Sequence, residues 1–83
     1  MDSKRENIGL TVVQCRMART GLGLGVRDLA DMAMVAPNTI SRFERGEELK
    51  PRTLKALKDA LEDAGARFYT TESGEDAVAI GKD

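Results

Sequence analysis

Residues Gly23–Gly46 read GLGVRDLADMAMVAPNTISRFERG. Between the flanking glycines, apolar side chains recur twice at helical spacing. Leu29, Ala30 and Ala33 give Val26–Ala33 a small-residue face with Arg27, Asp28 and Asp31 outside it. Ala30 and Ala33 are short enough to let another helix come close. Met34-Val35-Ala36 interrupts the pattern, and Pro37 follows, a residue suited to the first helical position because its missing N–H has no partner to lose there. From Pro37, Ile40 and Phe43 mark a second helix over residues 37–45, with Gly46 placed as the residue just past its end. Helices of eight or nine residues do not stand alone in water, so both must pack into a larger body. A join of three residues is the length of the turn in a helix-turn-helix.

Upstream, Leu10, Val13 and Met17 fall at i, i+3, i+7 with Ala18 beside them, which predicts an amphipathic helix over about residues 10–20 with that stripe turned inward. It stops in Gly21-Leu22-Gly23-Leu24-Gly25. No strand precedes these glycines, the GxGxxG spacing is missing and no Lys-Ser/Thr follows, so a phosphate-binding loop is a poor reading and helix-ending glycines with two leucine plugs a better one. Downstream, Glu47–Lys50 is a loop. Pro51 opens a fourth helix with Leu54, Leu57, Leu61 and Ala64 on one face, stopped by Gly65. Arg67–Thr70 reads as a strand, Glu72–Glu75 as a turn and Ala77–Ile80 as the returning strand. A lone two-stranded hairpin is marginal in water, so the helices or a partner chain must cover it.

The chain has 83 residues and a mass of 9.0 kDa, the size of one domain. With 41% hydrophobic and 33% charged residues it is globular rather than a disordered tail. A domain this small hides only about 60% of its unfolded surface, so the core is thin and association would help. Phe43, Phe68 and Tyr69 are the only aromatics, which leaves aliphatic residues to fill the core; Met17, Met32 and Met34 read as core filler, or else as an adaptable binding surface. The absence of His removes Ser-His and Cys-His dyads, His general bases and most zinc sites. Cys15 is the single cysteine and cannot close an internal disulfide; it reads as a small helix residue, or as a redox sensor if exposed and acidified by Arg16 and Arg19. No catalytic residue, metal site or cofactor is expected, and the chain reads as no enzyme. No apolar run approaches the roughly 20 residues that span a bilayer. Residues 1–9, MDSKRENIG, lack the apolar stretch of a secretion signal. The expectation is a cytoplasmic protein away from membranes.

The net charge of −1 conceals an asymmetry: residues 1–52 carry nine basic and seven acidic side chains, +2, and residues 53–83 carry four and seven, −3. The residues now described resemble the helix-turn-helix of the Cro and phage-repressor (XRE-type) DNA-binding family. The matching positions are Arg19, Gly23-Leu24, Leu29-Ala30, Val35, Thr39-Ile40, Glu44, Gly46, Pro51 and Leu54, covering roughly residues 10–64. The resemblance implies a mainly α fold, a four- to five-helix lambda-repressor-like bundle, to which this chain adds a short C-terminal β-hairpin. Residues 1–65 would form the DNA-binding bundle. Residues 66–83 would form a hairpin and tail, a dimerisation element of the same domain.

By periodicity, Asn38, Ser41, Arg42 and Arg45 fall opposite Ile40 and Phe43. Asn pairs bidentately with adenine and Arg with guanine O6/N7; the plain alternative is a solvated polar face. The resemblance puts base readers at Pro37, Asn38, Ser41 and Arg42, in the major groove of double-stranded DNA, with phosphate contacts from Arg27, Thr39, Arg45, Lys50 and Arg52. Glu47 and Glu48 would repel DNA unless they point away. The resemblance also implies an internal ion pair between Arg19 and Glu44; alternatively Arg19 touches phosphate and Glu44 is exposed. Three positions depart from the family pattern. Met34 stands where the turn usually has Gly, so either the turn keeps a left-handed residue at about 1 kcal/mol or its shape differs. Ala36 replaces the usual Ser or Thr cap, and Val26 replaces a phosphate-binding Gln.

A single reading helix binds weakly, whereas two about 34 Å apart read a palindrome. The expected function is therefore a sequence-specific bacterial or phage regulator, a repressor, acting as a homodimer. Phe68, Tyr69, Val78 and Ile80 would build the dimer, unless the hairpin covers its own helices. The rival reading is an antitoxin or adaptor whose main partner is another protein.

Overall fold

The computed structural model describes residues 10–81. Residues 1–9, on which the expectation of no secretion signal rests, and residues 82–83 of the acidic tail lie outside the described residues. The chain is mainly helical: α1 Val12–Gly21, α2 Val26–Ala33, α3 Pro37–Glu44 and α4 Pro51–Asp63, followed by an antiparallel hairpin of β1 Ala66–Thr70 and β2 Asp76–Ile80. Each element matches the sequence reading to within one or two residues at its ends, including the start of α1, which Thr11 caps.

The core is aliphatic. Leu29, Ile40, Leu57, Leu61 and Cys15 are its largest fully enclosed side chains, joined by Leu10, Ala18, Ala30, Ala33, Phe43 and Ala66. Burying such side chains supplies most of what holds helices this short, at roughly 25 cal/mol per Å² of apolar surface. Ala30 and Ala33 lie where α2 meets α3 and α4, and their small size lets three helices converge on one short segment.

The inward face of α1 differs from the expected one. Gln14, Cys15 and Ala18 are buried, whereas Val13 and Met17 are 52% and 42% exposed. Met32 and Met34 are exposed as well, so these three methionines are not core filler. The physical reason is that the oxygen and both N–H donors of the Gln14 amide are bonded. Its Oε1 accepts from the Thr11 N–H at 3.1 Å while Thr11 Oγ1 accepts from the Gln14 N–H at 3.1 Å, a reciprocal cap on the first turn. Its Nε2 donates to the carbonyls of Tyr69 at 3.0 Å and Ala77 at 3.2 Å, one on each strand. A buried amide with both N–H donors and its oxygen bonded is little burden, so a polar residue takes a place on the inward face that periodicity gave to Val13 and Met17.

These bonds fasten the hairpin to the helices. The Thr11 hydroxyl donates to the Asp76 carboxylate at 2.8 Å, and at the other end of α1 a Cβ on Gly21 would come within 3.1 Å of Ile80. Strand β2 thus runs alongside α1. Ala66, Phe68 and Val78 pack on the core, while Tyr69 is half exposed. So the hairpin does cover its own helices with one face. It also closes on α4: the Gly81 N–H donates to the Gly65 carbonyl at 2.8 Å, where a Cβ on Gly65 would sit 2.5 Å from the Gly81 oxygen.

The first three helices end by one device, a residue with positive φ that folds the next N–H back onto the last turn. Gly23 does this for α1, with Leu24 N–H to Arg19 O at 2.9 Å; Gly46 for α3, with Glu47 N–H to Arg42 O at 3.0 Å. For α2 the residue is Met34, at φ 62° and ψ 44°, with Val35 N–H to Ala30 O at 3.0 Å. The turn therefore keeps its left-handed shape without glycine. Met34 is 87% exposed and contributes little packing in return for the unfavourable backbone. Met34→Gly should raise stability by about 0.5–1 kcal/mol in urea unfolding, the steric relief exceeding the added flexibility of the unfolded chain. Gly65→Ala should lower it by about 1–3 kcal/mol, because the obstructing atom is backbone.

Candidate nucleic-acid interface

On α3, Ile40 and Phe43 are buried, and this fixes what the opposite side presents. Pro37, Asn38, Arg42 and Arg45 are exposed, and Ser41 and Thr39 are half-buried at the margins. Asn38 and Arg42, four residues apart, therefore share the outer face. Ala36 gives the helix start no side-chain cap, and Pro37 occupies the first turn. The positive end of the helix dipole is thus left for an anion or a polar base edge.

Basic side chains stand on the neighbouring segments. Arg27 is exposed in the first turn of α2, Lys50 is the N-cap of α4 and Arg52 lies in its first turn. Among the described residues, Arg27, Arg45, Lys50 and Arg52 enter no salt bridge, so no described acid is paired with their charge. Val26, where a polar residue was missing, is half-buried against the core. Glu47 does not face outward as an isolated acid: its Oε1 accepts from Arg42 Nε at 3.1 Å. Glu48 is exposed.

The orientation of α3 rests on a contact to α1. Arg19 Nε and Nη2 donate to the two oxygens of Glu44, each at 2.9 Å, a two-pronged pair whose side chains are 19% and 9% exposed. Arg19 Nη1 also donates to the Leu24 carbonyl at 3.2 Å. One guanidinium thus joins α1, the loop after it and α3. Charge-assisted pairs of this geometry are strong and directional, and removing one member leaves a charge stranded in a partly dry site.

Sequence reasoning missed a third member. The Cys15 thiol donates to Glu44 Oε2 at 3.5 Å. Burial, and then the Glu44 charge, push its pKa up to about 12. The protonated thiol is the form this site favours, which is the reverse of what a redox sensor needs. The only clue available in the sequence was the four-residue step from Cys15 to Arg19, which puts both on one helix face.

Glu44→Ala should lower stability by about 3 kcal/mol in urea unfolding, since it strands Arg19. The raised thiol also sets a pH window. The unfolded chain releases the Cys15 proton near 9.0 and the folded chain only near 12. This contribution is therefore complete below pH 9.0 and is lost as pH rises to about 12, and the Cys15-dependent part of that slope should vanish in Cys15→Ala.

Among the described residues, no helix is long and apolar enough to cross a membrane. Comparison with curated proteins finds no match. The helix-turn-helix family model matches residues 16–62, which run from the middle of α1 through the Arg19–Glu44 pair and the α2–α3 turn to the end of α4. That span is more than half of the chain, and the chain belongs to the helix-turn-helix family of the Cro and phage-repressor (XRE) type, whose members are DNA-binding transcription regulators.

Proposed function

We propose that this protein is a transcriptional repressor, bacterial or phage in origin and acting in the cytoplasm, that binds a palindromic operator as a homodimer. The observation that carries the reading is the outer face of α3. Asn38 and Arg42 project from a helix whose inner face is locked by Ile40, Phe43 and the Arg19–Glu44 pair. Asn38 suits adenine N6/N7 and Arg42 guanine O6/N7, with Pro37 and Ser41 shaping the fit to neighbouring bases. Arg27, Thr39, Arg45, Lys50 and Arg52 would hold phosphates on either side, fixing register without reading sequence. Repression would follow from occupancy of the site that polymerase needs.

Two copies set about 34 Å apart would double the contacts and match a two-fold operator. Residues 66–83 remain the proposed dimerisation element. Phe68 and Val78 already serve the chain's own core, so the contact between copies falls to Tyr69 and the partly exposed Ile80. A second reading, in which the main partner is another protein, draws support from the exposed Val13 and Met17 on α1.

The test is binding to DNA from the chain's own upstream region, followed across salt. A steep dependence on salt with a symmetric footprint is the expected result. Asn38→Ala with Arg42→Ala should reduce specific binding to the non-specific level while thermal unfolding stays close to that of the parent, both side chains being exposed. Specific affinity that survived the double change would remove α3 as the reading helix. A tight protein partner combined with salt-insensitive, sequence-blind DNA contact would favour the second reading.

A further inference from the structure

Gly46 ends α3 with φ +107° and leaves open space around it. The chain turns back so that the Glu47 N–H donates to the Arg42 carbonyl at 3.0 Å and the Gly46 N–H to the Phe43 carbonyl at 2.9 Å. In this kind of helix end the residue after the glycine usually makes an apolar contact with the last full turn. Here the same two positions carry opposite charges. Glu47 Oε1 takes the hydrogen of Arg42 Nε at 3.1 Å, so residue 47 is bound to residue 42 through both main chain and side chain. The pair is exposed, at 47% and 55%, and contributes little to folding.

We infer that Glu47 is a specificity-determining residue that positions the Arg42 guanidinium for guanine; this rests on the DNA-reading function proposed above. Two effects act in the same direction. Holding Nε leaves the two terminal nitrogens of Arg42 as a fork of parallel donors, the geometry that matches guanine O6 and N7. A side chain already held loses less freedom on binding. The carboxylate also cancels charge beside the guanidinium, so Arg42 is drawn less to phosphate on any sequence. Glu47 therefore lowers general affinity for DNA and raises the contrast between right and wrong bases. An acid in a DNA-facing loop, unfavourable by its charge alone, has a role when it is tied to a reader.

The test is selection of binding sites from random duplexes with the full chain, run on the parent, Arg42→Ala, Glu47→Ala, Glu47→Gln and Glu48→Ala, with thermal unfolding as the check on folding. Glu48→Ala is the charge control, since it removes one negative charge next door without touching Arg42. The parent should enrich a site containing a guanine whose preference disappears in Arg42→Ala. Glu47→Ala should weaken that guanine preference by about tenfold and strengthen binding to random DNA. Glu47→Gln, which keeps an oxygen acceptor, should retain most of the preference. Glu48→Ala should strengthen binding to all sequences alike and leave the preference intact. If Glu47→Ala behaves like Glu48→Ala, or if Arg42→Ala alters no base preference, the positioning role is wrong. If the parent enriches no sequence at all, the DNA-reading function falls, and the role of Glu47 with it.

Discussion

The Arg19–Glu44 contact is the constraint on which the outer face of α3, the proposed reading face, depends. Helix α3 has eight residues and only two buried side chains, Ile40 and Phe43. Two apolar anchors hold a helix against a core but leave it free to roll. A fork of two hydrogen bonds from α1, with the Leu24 carbonyl as a third point, removes that freedom. Because the pair lies on the inner side, the outer residues carry no structural duty. Asn38 and Arg42 are exposed, and replacing them leaves the clamp intact. The frame separates the residues that fold from those proposed to read DNA.

The second constraint is the handedness of the helix ends. Three successive helices each finish with a left-handed residue, at Gly23, Met34 and Gly46, and each reversal brings the next segment back over the last turn. The side chain at the start of that last turn is then well placed to touch the returning chain. Arg19 meets Leu24 in this way and Arg42 meets Glu47. The same local geometry thus supplies an internal clamp at one helix end and a tethered arginine at another.

Much of this was legible in the sequence. The helices announced themselves through Leu29, Ile40, Phe43, Leu57 and Leu61, all of which are buried, and through the prolines and glycines at their ends. The family pattern led to Arg19 and Glu44. What stayed hidden was what depends on partners distant in the chain. Val13 and Met17 resembled a core stripe because periodicity registers apolarity and not the alternative; a glutamine whose NH2 group bonds both strands and whose oxygen caps α1 displaced them. Met34 raised the question of the turn without answering it, since a non-glycine residue can be strained or the turn reshaped, and the structure shows the first. Glu47 read as a misplaced charge because its partner is reached only through the reversal at Gly46.

The buried thiol has a practical consequence. Cys15 is the chain's one cysteine, fully enclosed and held protonated by its surroundings, so it is silent towards thiol reagents while the protein is folded. A cysteine introduced at the hairpin tip, as in Ser73→Cys, where the side chain is exposed, would then be the one reactive site. A spin label or dye attached there would report the separation of the two copies in the proposed dimer directly, with the native core left whole.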